Sequence, residues 1–339
     1  MTNAQLDIPA DEGRIPEMSA EEVARHSREV LAEHSRSFNW ASRFLPEESR
    51  DDAAILYAFC RLVDDTVDEA ESPEVATKQV EALRDELNRE RAPSAAVAAF
   101  LDLSERRGVD VSAAMELVEG VASDLGDVLI EDDRALLRYC YRVAGTVGLM
   151  MSPVLGVEDP RAVAHAIDLG IGMQLTNICR DVLEDAQNGR VYLPETRLRR
   201  AGISQKELLE SVATGGFELE ETVAKVVSDL LKLADRYYDS ADQGLAYIPA
   251  RSRLGICVAA RVYRGIGVRL RYLHDANPLH GRTVVPGLEK ALWLGPAGRR
   301  FAMSSLLKPR PHKAHLHRAL AGLPGVNAGP SPKPSPFGT

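Results

Sequence analysis

The sequence predicts an all-α protein, and three observations carry that expectation. Apolar residues recur three and four apart through long stretches: AEEVARHSREVLAEHSRSF (20–38), AAILYAFCRLVDDTV (53–67), RALLRYCYRVAGTVGLMM (134–151), AVAHAIDLGIGMQLTNICRDVLEDA (162–186) and TVAKVVSDLLKLADRYYDSADQGL (222–245). No comparable set of alternating segments reads as strands. Turn signals separate the helical stretches at Pro46-Glu47-Glu48, Arg107-Gly108, Asp159-Pro160 and Gly215-Gly216, and Ser204 followed by Glu207 has the spacing of a capping box.

The 339 residues carry a net charge of −9, against the basic balance that a general nucleic-acid binder needs. The longest apolar run, 143–157, is short and broken by Gly, Ser and Pro, so no bilayer span is expected. The acidic N-terminus lacks the basic and apolar regions of a secretory signal. Cys60, Cys140, Cys179 and Cys257 stand far apart in helical contexts, which reads as reduced core thiols in a cytoplasmic protein rather than a zinc or redox motif. Residues 1–17 are expected to form a disordered N-terminal tail and 18–307 a single catalytic domain. The Pro- and Gly-rich stretch 308–339 is expected to be a disordered tail, with His312, His315 and His317 in solvent.

Two acidic stripes stand out. In YAFCRLVDDTVDE, Tyr57, Arg61, Asp64 or Asp65, and Asp68 follow at helical spacing, so like charges share a face. Taken alone, that stripe reads equally well as a solvated face. In QLTNICRDVLEDA, however, Gln174, Asn177, Asp181 and Asp185 also share one face, while Ile171, Leu175, Ile178 and Val182 make the other apolar. Buried carboxylates without cations are costly. Two such stripes facing each other across a cavity suit hard divalent cations, and magnesium typically combines one or two carboxylates with phosphate oxygens. Arg36, Arg61, Arg180 and Arg190 lie near the acids in sequence and suit a phosphate clamp.

Other chemistries fit less well. No glutamate has a histidine three residues on, as a di-iron bundle requires. Gly170-x-Gly172 and Gly265-x-Gly267 lack the third glycine of a dinucleotide fingerprint and follow no strand; with Gly145 and Gly148 they suit close helix packing or room for a ligand.

The segments HSRSFNWASRFLP (34–46), YAFCRLVDDTVDE (57–69), YCYRVAGTVGLM (139–150), QLTNICRDVLEDAQNGRVYLP (174–194) and RLGICVAARVYRGI (253–266) resemble, in order and spacing, the phytoene/squalene synthase family, and within it bacterial phytoene synthases. The resemblance runs from about residue 20 to 300. It implies an isoprenoid synthase fold, a single helical bundle around a central apolar cavity. Carried over by position, it makes Asp64, Asp65, Asp68, Asn177, Asp181 and Asp185 metal ligands. His34, Arg36, Ser37, Tyr57, Arg61, Gln174 and Arg180 become diphosphate-site residues, Tyr139 a cavity tyrosine and Arg282 a late phosphate contact. Two departures are present. The chain reads DLGDVLIEDD where the family usually has an Arg-Tyr pair after Asp-Leu, and a short insertion precedes Arg282.

The implied reaction is magnesium-dependent, with manganese as a substitute: head-to-head joining of two geranylgeranyl diphosphates to phytoene through a cyclopropyl (prephytoene) diphosphate. This is the first step of carotenoid synthesis, and NADPH is not expected. Squalene, dehydrosqualene or presqualene diphosphate synthesis from farnesyl diphosphate is the alternative, and a catalytically silent assembly subunit is a reading from another class. Phe38 and Ser42, one turn apart, line the expected pocket, and the small Ser42 and Ala54 favour the longer donor. Greasy substrates imply peripheral membrane contact and downstream carotenoid enzymes as partners, with no nucleic acid.

Overall fold

The computed structural model describes residues 20–329 except 127, 129, 216–217, 287–290 and 307. Helices follow the apolar periodicity. The first is α1 (Ala20–His34), after which Ser35 caps α2 (Arg36–Ser42) by accepting from the Phe38 amide at 3.2 Å. Pro46 then opens α3 (Glu47–Asp68). Next come α4 (Pro73–Leu87), α5 (Ala95–Arg107), α6 (Val111–Ala122), α7 (Asp133–Cys140) and α8 (Thr146–Val154). A π-turn at Tyr141–Gly145 joins α7 to α8. The second half holds α9 (Ala162–Gln187), α10 (Glu195–Ala201), α11 (Gln205–Thr214), α12 (Glu220–Gly244), α13 (Ala250–Leu273) and α14 (Leu294–Leu306). The capping box forms as the spacing predicts: Ser204 and Glu207 exchange side-chain-to-backbone hydrogen bonds. Gly108 ends α5 in the left-handed region at φ 69°, open to glycine without strain. No strand forms among the described residues, and the fold class is all-α.

The long α9 runs through the centre. It packs antiparallel to α12, with His165 against Gly244, Thr176 against Tyr238 and Cys179 against Val227. It also packs antiparallel to α8, and here the glycines act. A Cβ on Gly148 would strike the Ala166 carbonyl oxygen, and one on Gly170 the Ala144 carbonyl oxygen. Backbone meets backbone, so the close-packing expectation for both positions holds. The four described cysteines are free and buried. No described helix is long and apolar enough to cross a membrane.

The C-terminal expectation needs correction. The segment 308–329 is packed against the bundle, and the core extends to Leu323. A 3-10 helix, Ala314–Leu320, buries Leu316, His317 and Leu320. Each fully buried leucine contributes about 1.5–3 kcal/mol. The Tyr237 hydroxyl donates to the Leu316 carbonyl at 2.9 Å and the Tyr141 hydroxyl to that of Pro324 at 2.6 Å. His312 and His317 are not solvated: their Nε2 atoms each lie 3.0 Å from one oxygen of the wholly buried Asp168. His315 alone of the three is exposed. The expectations for 1–17 and 330–339 fall outside the described residues.

Candidate active site

Helices α3 and α9 bring the two acidic stripes to one cleft. Asp64, Asp68, Gln174, Asn177, Asp181 and Asp185 line it, with Asp124, Tyr139, Arg190 and Tyr192. Directly beneath lies a long apolar cavity whose wall shares Asp64, Val143, Gln174 and Asn177 with the cleft. One helix face thus carries both a charged rim and an apolar shaft.

The cleft is crowded with carboxylates. Burial, with Asp68 and Asp65 nearby, raises Asp64 to about 7 despite Arg61. Burial, Asp181 and Glu184 raise Asp185 to about 7. Asp124 rises to about 6 by burial, even though the Tyr139 and Tyr192 hydroxyls hydrogen-bond to it. Negative charge in this cleft therefore needs compensation.

Part of that compensation is arginine. Four arginines, three of them near the acids in sequence, pair directly with carboxylates of the stripes or beside them. Arg61 pairs with Asp65, Arg180 Nε lies 2.7 Å from Asp181 Oδ1, and Arg190 lies 2.9 Å from Asp68. Arg282 reaches Asp181 at 3.2 Å and Glu184 at 3.3 Å, which brings the late arginine to the second stripe despite the altered sequence before it. Asp64 and Asp185 have no such ion pair among the described contacts. Asp65 is held by Arg61 and is absent from the cleft lining, unlike the other five expected ligands.

Around the rim, Phe38 packs on Tyr57 (centroids 6.2 Å) and Tyr263 (5.0 Å), and both Phe38 and Ser42 line the apolar cavity with Tyr57. His34 is exposed, near enough to favour the Asp65 carboxylate. The side chains of Arg36 and Ser37 fall outside the described residues. Tyr139 stacks on Tyr192 (centroids 4.8 Å) and donates to Asp124 Oδ2 at 2.9 Å. Burial and the Asp124 carboxyl push the Tyr139 phenol well above its ordinary value. Arg190 takes its place in the cleft as its nearness to the acids in sequence suggests, whereas sequence reasoning missed Asp124 and Tyr192. Of these two only Tyr192 carried a signal, inside the NGRVYLP end of the fourth motif.

The donor set is oxygen-only and fits a hard divalent cation. The buried Asn177 Oδ1 and Asp124 Oδ1 have no hydrogen-bond partner among the described atoms, which leaves oxygens free to ligate. The Asp168–His312–His317 cluster also groups ligand atoms within 4.8 Å. Its histidines, however, face Asn327: His317 Nδ1 accepts from the backbone amide at 3.1 Å and His312 Nδ1 lies 3.4 Å from the side-chain nitrogen. A metal-bound histidine donates from its second nitrogen. These accept instead, so the cluster is a hydrogen-bonded latch.

Comparison with known proteins agrees with this geometry. A sequence model described as Squalene/phytoene synthase matches residues 31–289. The chain is 32% identical over 312 residues to the 15-cis-phytoene synthase of Pantoea ananas, covering 88% of this chain and 98% of that protein. It is 37% identical over 305 residues to a phytoene synthase of Cereibacter sphaeroides, covering 86% and 83%. A crystal structure of a dehydrosqualene synthase in complex with ligand superposes with a TM-score of 0.73 at 24% identity, covering 84% of this chain and 98% of that one; this likeness shows the isoprenoid synthase fold. With the motifs, the fold and the family match in agreement, the chain is a prenyltransferase that belongs to the squalene/phytoene synthase family.

Proposed function

We propose that the protein joins two geranylgeranyl diphosphates head to head to make phytoene. The carrying observation is the continuity of the two chambers: a carboxylate- and arginine-lined cleft opens through Asp64, Gln174 and Asn177 onto an apolar shaft. A diphosphate head and a prenyl tail need those two environments in that order. The shaft follows α9 from Asn177 to His165, twelve residues or about 18 Å of helix rise. That depth suits the sixteen-carbon main chain of a geranylgeranyl group better than the twelve of farnesyl. Small wall residues, among them Ser42, Gly148, Ala166 and Gly170, keep the shaft open along its length.

Magnesium held by Asp64, Asp68, Asn177, Asp181 and Asp185 would supply charge neutralisation and Lewis-acid assistance to diphosphate departure. The chain's own residues do the rest. Arg61, Arg180, Arg190 and Arg282 already sit on the acids and exchange part of that pairing for diphosphate oxygens, fixing the head group. The apolar walls keep water from the allylic and cyclopropylcarbinyl cations. Tyr139, its acidity suppressed, stays a phenol that donates to Asp124 and gives a fixed dipole at the cleft floor. The departing diphosphate is then the base that takes the final protons. Greasy substrate and product, with Tyr272, Leu273, Leu292 and Leu306 exposed, support peripheral contact with a membrane.

Purified protein with magnesium and geranylgeranyl diphosphate, without reductant, is expected to form a forty-carbon hydrocarbon by mass spectrometry. Product formed only from farnesyl diphosphate would replace this reading with the shorter-chain alternative.

A further inference from the structure

The far end of the apolar shaft is closed by a residue that the C-terminal segment holds. His165, on the first turn of α9, lines the cavity at the end opposite the acids, with Leu155, Leu245 and Ile248 around it. The ring is 3% exposed and cannot swing freely: Nδ1 lies 2.7 Å from the Ser240 carbonyl and Nε2 3.1 Å from the Arg310 carbonyl. Gly244 meets its Cβ from behind, leaving no space for withdrawal. Arg310 belongs to the 308–329 strap, which lies outside the span matched by the family model. Two residues on, His312 packs edge-on to His165 with centroids 5.3 Å apart and anchors the strap to Asp168. The strap therefore fixes the ring that ends the shaft.

We propose that His165, positioned by the Asp168-anchored strap, is the chain-length stop of the prenyl cavity. This rests on the prenyl diphosphate reading above and adds the residue that limits tail length. A buried ring that donates to one backbone carbonyl and is wedged between Gly244 and the strap gives a sharp boundary, where a flexible side chain would yield to one more isoprene unit. Its removal extends the shaft towards the His312 ring.

The test measures kcat/KM for diphosphates with fifteen-, twenty- and twenty-five-carbon tails in the full-length protein. Wild type is expected to use the twenty-carbon donor and to fall at least about tenfold at twenty-five carbons. His165→Ala is expected to raise the twenty-five-to-twenty ratio by at least about tenfold, and His165→Trp to shift preference towards fifteen. A general loss of packing lowers all three donors together and leaves the ratios fixed. Wild type that turns over no prenyl diphosphate overturns the functional reading and this proposal with it. Wild type that uses twenty and twenty-five carbons equally, or a folded His165→Ala protein with wild-type ratios, overturns the stop alone.

Discussion

Arg190 Nη1 lies 2.9 Å from Asp68 Oδ1, tying the turn after α9 to the last residue of α3 and linking the two acidic stripes directly. The pair is part-exposed, at 28% and 53%, so its net contribution to stability is about 0–1 kcal/mol. Its functional weight is larger, because the guanidinium is placed where a diphosphate must sit. Arg190→Gln should leave the unfolding free energy within about 1 kcal/mol of wild type. The same change should lower kcat/KM by tenfold or more, a loss of roughly 1.4 kcal/mol or more in transition-state binding. Chemical denaturation and steady-state kinetics read the two effects separately; equal losses in both would make the arginine structural.

Asp64 is buried among other acids, and its ionised form is disfavoured. In chelator, Asp64→Asn should therefore melt a few degrees higher than wild type near pH 8. Added magnesium should raise the wild-type melting temperature and leave the variant nearly unmoved. Thermal melts in chelator and in magnesium check this without any turnover.

The α8–α9 crossing leaves no room for a methyl group at Gly170, where the obstacle is the Ala144 backbone carbonyl. Gly170→Ala should cost about 3 kcal/mol or more, beyond the helix-propensity gain of about 1 kcal/mol. Urea unfolding of the purified variant gives the number.

The strap latch sets a pH dependence. Burial opposes ionisation of Asp168, but the hydrogen bonds from His312 and His317 outweigh it and hold the carboxyl below its ordinary value. A carboxyl depressed on folding contributes stability that is present above its unfolded value, about 3.9, and is lost as pH falls through the folded one. Asp168→Asn should thus cost about 3 kcal/mol near pH 7. The difference from wild type should shrink below about pH 4. Unfolding curves across pH 3–7 that stay parallel would contradict it.

Much of this was legible in sequence, and the gaps have physical causes. Asp64, Asp68, Asn177, Asp181 and Asp185 could be read because helical spacing puts them on two faces, and charge on an otherwise core-seeking helix is conspicuous. Which arginine meets which acid could not, since Arg190 and Arg282 lie outside helices, where no period fixes direction. Asp124 sits just past the end of α6, likewise beyond periodicity. The strap escaped for another reason. Leu316, Leu320 and Leu323 do keep helical spacing, but among Pro and Gly the segment reads as solvent-borne. Its decisive anchor, Asp168, lies some 150 residues away in the chain.

The central claim is that both acidic stripes grip one diphosphate through shared divalent cations. Crystals grown with manganese and a non-hydrolysable prenyl diphosphate analogue test it most directly, by anomalous scattering. The account expects manganese peaks bridged by the diphosphate, touching Asp64 or Asp68 on one side and Asp181 or Asp185 on the other. Peaks confined to one stripe, or a diphosphate bound away from both, would contradict it.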